Sequence, residues 1–190
     1  AGRRTGRRRR LGRFEKAPNG NHRPVFPFTS NEPDDLLAIY LRDHLSASTL
    51  GLELADRLVD RNRDDPRFAH TLLEVRDEIV AERETLKRLM DDLGVGADPV
   101  KVASSWLAEK VARLKLNGQI TGYSPLSRMI ELEGLSTGIA GKCRMWRIFE
   151  QRIGPRYKDF DFTALAELAD SQRERIDALH VLAGEWIEQT

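Results

Sequence analysis

Residues 65–93, which read DPRFAHTLLEVRDEIVAERETLKRLMDDL, carry a clear helical signal. Asp65 is a residue type that caps helices, and Pro66 suits the first helical position, where a backbone N–H has no intrahelical partner. Apolar residues then recur at steps of three and four, the period of a helix with one buried face. The members of this stripe are Val75, Ile79, Glu82, Leu86, Leu89 and Leu93. The stretch therefore predicts one long helix over 66–93, with the carboxylate of Glu82 on its apolar face.

The same punctuation recurs along the rest of the chain. Asp98-Pro99 and Ser124-Pro125 repeat the cap followed by proline, and Gly154-Pro155 marks a helix end. Together these signals predict helices near 33–62, 66–93, 99–116, 125–152 and 162–188. Because no long stretch shows the alternation of a strand, we predict an all-α protein.

Four of these predicted helices are long, at roughly 40 Å each for a rise of 1.5 Å per residue. Tight turns join the first to the second and the fourth to the fifth, so each pair should form an antiparallel hairpin. The shorter helix 99–116 has the size of a crossover between the two hairpins. Two hairpins joined by a long crossover make the ferritin-like form of an antiparallel four-helix bundle. We expect this bundle domain to occupy residues 31–190.

Charge is distributed unevenly, although the net charge is only +1. Residues 1–30 carry about +8 by count and lack hydrophobic periodicity, which predicts an arm that is disordered when alone. Its candidate nucleic-acid-binding residues are Arg3, Arg4, Arg7, Arg8, Arg9, Arg10 and Arg13. Arginines neutralise phosphates and release counterions, so such binding should depend on salt and little on sequence. A tail without a partner and an over-extended start site are the open alternatives.

Polar residues interrupt the predicted apolar faces of three helices. The stripe of the first helix runs Leu37, Tyr40, His44, Ala47, Gly51, Ala55 and Leu58, and that of the last helix contains Gln172. A carboxylate buried without a partner is costly, so Glu82 should be paired, protonated or bound to a metal. One interpretation is a satisfied network of Glu82 with His44, Gln172 or Lys142 that fixes helix register. The other is a site between helices, with the candidate residues His44, Glu78, Glu82, Glu133 and Gln172.

A glycine-rich stretch lies inside the predicted helix 125–152. It contains Gly134, Gly138 and Gly141, but no strand precedes it, as a phosphate-binding loop requires. We interpret these glycines as permitting another helix to approach closely. The small residues Ser46, Ala47 and Gly51 are the expected facing positions.

The layout of residues 33–188 resembles the ferritin-like superfamily. It is also similar to an uncharacterised ferritin-like group from high-GC bacteria, in the segments Leu126–Met129, Glu131–Glu133 and Gly141-Lys142. The diiron enzymes of the superfamily carry a Glu on each of two helices and Glu-x-x-His on each of the other two. This sequence contains no Glu-x-x-His. The resemblance therefore implies the fold without a standard diiron centre.

These observations predict a non-enzymatic bundle without a cofactor, which forms a homo-oligomer and binds nucleic acid through its arm. The alternative is a divergent carboxylate-metal oxidase or metal-storage protein, with iron or manganese near His44 and Glu82. The single cysteine, Cys143, excludes an intrachain disulfide, and no apolar run approaches the length of a membrane span. We therefore expect a cytoplasmic protein with no membrane partner.

Overall fold

A computed structural model describes residues 32–96 and 123–189. In these ranges the elements are α1 (Pro33–Asn62), α2 (Pro66–Asp92), α3 (Pro125–Arg152), α4 (Phe162–Ala183) and a short 3-10 helix (Glu185–Gln189). The described residues contain no strand, so the all-α prediction is confirmed. The predicted crossover helix 99–116 and the basic arm lie outside the described residues. None of the described helices combines the length and apolar character needed to cross a bilayer.

The helix starts follow the predicted capping pattern. Asp65, Ser124 and Asp161 each accept a hydrogen bond from a backbone N–H in the first turn of the helix that follows. The last helix ends earlier than predicted, because the α-helix stops at Ala183 and the chain continues as a 3-10 helix after Gly184. Glycine is a poor helix former, and its position near the end of the chain's last helix favours this termination.

The buried faces agree with the predicted stripe on α2, whereas on α1 they agree only at Ala55 and Leu58, towards the end of the helix. On α2, the stripe from Val75 to Leu89 is buried, including Glu82. On α1, Tyr40 is 37% exposed and Ala47 is exposed as well. The residues that α1 buries are Ala38, Leu41, Leu54, Ala55, Leu58 and Asn62. In its first turns, α1 offers two apolar stripes one residue apart, one with Leu37 and Tyr40 and the other with Ala38 and Leu41. The helix buries the second.

Two apolar clusters make up the core. One is largely aliphatic and includes Leu58, Leu72, Leu132 and Ile176. The other contains the aromatic residues Trp146, Phe149 and Phe162, together with residues such as Leu86 and Met145. On α2, Glu82 falls between Ile79 of the aliphatic cluster and Leu86 of the aromatic cluster. The polar side chain of Glu82 therefore lies where the two clusters meet.

The helices pack against one another in a defined set of pairs. Helix α3 contacts both α4 and α1, and α2 contacts both α1 and α4. The α1–α2 pair includes hydrogen bonds from Arg76 to Asp56 and from Arg83 to Thr49. The four helices therefore enclose one interior, and the site described below lies at its edge.

Candidate functional site

Glu82 is the centre of a buried polar network. Its side chain is 2% exposed, and three side chains donate hydrogen bonds to its two carboxylate oxygens. Oε2 accepts from Lys142 Nζ at 2.5 Å and from Gln172 Nε2 at 2.7 Å. Oε1 accepts from the indole N–H of Trp146 at 3.2 Å. The carboxylate is therefore paired with a cation and held in a fixed orientation by three residues.

Lys142 and Gln172 complete a closed ring of hydrogen bonds. The same Lys142 ammonium that contacts Glu82 also donates to Gln172 Oε1, at 2.6 Å. Burial lowers the pKa of Lys142, and the neighbouring Glu82 carboxylate opposes that shift. Since the ring joins α2, α3 and α4, it fixes the register of three helices at one level. These contacts are those of the satisfied network that we considered from the sequence.

The five predicted site residues do not meet in one place. Glu82 and Gln172 are in direct contact, and His44 lines the cleft onto which Glu82 opens. Glu78 instead pairs with Arg175 at 2.5 Å, and Glu133 is exposed. In residues 32–96 and 123–189, no group of three or more His, Cys, Asp or Glu side chains is placed to hold a metal ion.

A cleft of about 90 Å³ opens beside this network, between α1, α2 and α3. Small residues line it on two sides, with Ala47, Ser48 and Gly51 from α1 and with Gly134 and Gly138 from α3. The bottom and the remaining walls come from the polar network and from large apolar residues. The cleft is therefore a gap along the α1–α3 pair rather than a packing defect inside one cluster.

The glycines face open space, which corrects the sequence interpretation. A Cβ atom built on Gly51 or on Gly138 would meet no atom within 4 Å, and the same is true of Gly141. These glycines therefore do not serve a close helix approach. The side chains that are missing at Gly51 and Gly138 leave room that α1 does not fill.

Specific contacts join α1 to α3 and its flanking residues on either side of the cleft. At one end, Arg57 Nη1 lies 3.3 Å from Glu131 Oε1, and Asn62 Nδ2 donates to the Tyr123 hydroxyl at 3.0 Å. At the other end, the rings of Tyr40 and Phe149 meet edge to face, with centroids 6.1 Å apart. These contacts set the separation of the helices while the glycine-lined middle stays open.

The contact at Glu131 is a buried polar cluster that the sequence reasoning missed. Burial raises the pKa of Glu131, with Arg57 opposing the shift, and burial likewise raises the pKa of Tyr123 to about 12. Glu131 was not among the site residues predicted from the sequence. Glu131 lies four residues before Leu135, on the same helix face, and this spacing was the signal that could have predicted its burial.

Cationic groups dominate the polar part of the cleft lining. Arg83 Nη2 donates to Thr49 Oγ1 at 3.1 Å, and Nη1 lies 3.8 Å from a carboxylate oxygen of Glu84. The buried Nε of Arg83 has no acceptor among the described residues. His44 contacts the Tyr40 ring edge to face at 4.6 Å, and burial lowers the pKa of the imidazole. A guanidinium with an unused donor is thus held beside an apolar gap.

Comparisons with known proteins found no protein similar to this chain. No family model matches the chain. The comparisons with curated proteins and with solved structures found no match either.

Proposed function

We propose that this chain is a non-catalytic helical bundle that binds a small molecule in the cleft between α1, α2 and α3. The observation that carries the proposal is the open space in front of Gly51 and Gly138. Glycine inside a helix costs about 1 kcal/mol relative to alanine. No neighbouring side chain fills the space that the missing side chains of Gly51 and Gly138 leave. Ligand sites in helical bundles typically form between the helices, from an apolar lining with a few polar groups.

The state of Glu82 supports a binding role rather than a catalytic one. Its oxygens accept hydrogen bonds from Lys142, Trp146 and Gln172. A general base or metal ligand gives up its existing ion pair when it takes a proton or a metal ion, and breaking the buried ion pair of Glu82 with Lys142 is costly. The network therefore serves as a fixed floor for the cleft.

We infer that the helices form an antiparallel bundle with ferritin-like connectivity. In both hairpins the contacting residues run in opposite order along the two helices. These pairs are Thr49–Arg83 and Asp56–Arg76 for α1 with α2, and Ser136–Asp177 and Glu150–Thr163 for α3 with α4. Asp65 at the start of α2 also pairs with Arg128 at the start of α3, 3.4 Å apart, as a long crossover between parallel helices requires.

A fragment screen tests the cleft. Ligand-observed NMR on the full chain should detect small molecules whose binding disappears in Gly138→Leu, because leucine fills the open space. Gly141→Leu is the matched control, since Gly141 also faces open space on α3 but does not line the cleft. A screen without binders, or one whose binders also bind Gly138→Leu, would contradict the proposal.

The basic arm keeps its own proposed role, in nucleic-acid binding. Residues 1–30 carry seven arginines before Phe14 and only one acidic residue, Glu15. We expect that deleting residues 1–24 abolishes binding to generic DNA or RNA at low salt. Unchanged binding would exclude the arm as the binding element.

Self-association and the metal-dependent alternative also stay predictions. Light scattering on the full chain tests the first. Metal analysis of protein purified without a chelator tests the second, because stoichiometric iron or manganese that is lost in Glu82→Ala would favour a metal site at His44 and Glu82.

A further inference from the structure

We propose that the cleft takes a small monocarboxylic acid with a short apolar body. This inference rests on the proposed binding function of the cleft and adds the chemical class of its ligand. Three features of the cleft lead to it: its size, its apolar walls and the cationic side chain of Arg83 in its lining.

The size of the cleft limits the ligand to a few heavy atoms. An enclosed apolar cavity of about 150 Å³ accommodates a benzene ring. The cleft here measures about 90 Å³ and opens to the solvent. A short aliphatic chain or part of a single ring fits inside, while a polar head group remains near the mouth.

The walls of the cleft call for an apolar body. The large apolar side chains that line it are Ile79, Leu86, Leu135, Ile139, Met145 and Trp146. Since the indole N–H of Trp146 is already donated to Glu82, that residue offers the ligand a hydrocarbon face. A fully polar ligand would lose its hydration here without new hydrogen bonds, which is costly.

The polar head is assigned from the charges around the cleft. Two cations, Arg83 and Lys142, line the cleft together with one carboxylate, Glu82, which is already paired with Lys142. His44 also lines it, but burial lowers its pKa and so favours the neutral imidazole. Arg83 is oriented by Thr49, and its Nε has no acceptor among the described residues. A guanidinium binds a carboxylate through two parallel N–H donors, which adds both energy and geometric specificity. The guanidinium of Arg83, which lines the cleft, therefore matches a carboxylate head.

A single negative charge fits better than a phosphate. Lys142 in the same lining is already paired with Glu82, so a second negative charge on the ligand would have no cation of its own to meet. Glu84, whose carboxylate lies 3.8 Å from the Arg83 guanidinium, acts in the same direction. A monoanion satisfies Arg83 without this added cost.

Calorimetric titration of the full chain tests the assignment with four probes: butyrate, benzoate and their neutral counterparts 1-butanol and benzyl alcohol. We expect the wild type to prefer the acids, and Arg83→Gln to weaken acid binding about tenfold or more, as loss of a charge-assisted hydrogen bond implies. Binding of the alcohols should not change in Arg83→Gln. Arg88→Gln is the matched control, because Arg88 is exposed on the same helix and donates to Thr85.

The outcomes separate this inference from the proposed function. If the alcohols bind in a way that Gly138→Leu abolishes and the acids bind no better, the ligand class is wrong and the cleft function stands. If the acids bind equally to the wild type, Arg83→Gln and Gly138→Leu, they bind elsewhere and the inference is overturned. If no probe binds and the fragment screen is also empty, both proposals fail.

Discussion

Helix α3 meets its two neighbours in different ways. Against α4 the contact is closed: Ala166 and Ala169 are buried, and the Cys143 thiol lies 3.6 Å from the Ala166 carbonyl oxygen. Against α1 the contact is made near the ends, and glycines leave a cleft between. Small residues therefore occur in both interfaces of α3, but one interface is closed and the other is open. They close an interface only where the opposing helix is free to approach, and the bulkier contacts at both ends hold α1 away.

The largest expected effect on stability comes from the polar network around Glu82. Replacing Glu82 with alanine leaves the Lys142 ammonium buried without its carboxylate and removes the acceptor of Trp146. Breaking a buried ion pair in this way costs about 3–5 kcal/mol. We expect a loss of this size in the free energy of unfolding, measured by urea denaturation followed by circular dichroism.

Glu78→Ala is the control for that measurement. Glu78 lies one turn before Glu82 on α2, but its pair with Arg175 is partly open to solvent, with 29% and 26% of the side chains exposed. Pairs of this kind contribute about 0–1 kcal/mol. Similar losses for the two variants would show that Glu82 is not in the closed environment that the comparison assigns to it.

Alanine substitutions at two glycines of the α3 region test the open and crowded environments directly. Gly138→Ala should raise the free energy of unfolding by about 1 kcal/mol, because alanine favours the helix and its Cβ meets open space. Gly154→Ala should lower it, because a Cβ there would lie 2.5 Å from the Glu150 carbonyl oxygen. Thermal and urea unfolding of both variants measure the two effects. Destabilisation by Gly138→Ala would mean that α1 closes against α3 in solution.

The sequence was sufficient for the four described helices and for Glu82, Lys142 and Gln172 of the polar network. Caps such as Asp65 and the regular stripe of α2 predicted the start of that helix and the burial of Glu82, because both signals are local. The face of α1 was not predictable in the same way. Its two apolar stripes lie one residue apart, and only packing against other helices selects between them.

The cleft could not be predicted from the sequence for a related reason. A glycine such as Gly138 is compatible with a close helix contact and with an empty space. The outcome depends on how far the contacts at the ends, such as Arg57 with Glu131, keep the helices apart. The partner of Arg83 is likewise a matter of tertiary placement, since Thr49 is distant in sequence.

The smallest expected effect is a pH dependence that originates on the α1 side of the cleft. Burial lowers the pKa of His44 from its ordinary value of 6.5, so the unfolded chain takes up this proton at a higher pH than the folded chain does. As the pH falls below 6.5 towards the lowered value, stability is lost, whereas above 6.5 the group makes no difference. His44→Gln removes the titrating group. The stability of the wild type relative to this variant should therefore decrease from about pH 7.5 to about pH 5.5, the range in which histidine titrates. Parallel stability curves for the two proteins would mean that His44 titrates as it does in the unfolded chain. In that case the cleft would be more open to water than the contacts at its two ends imply.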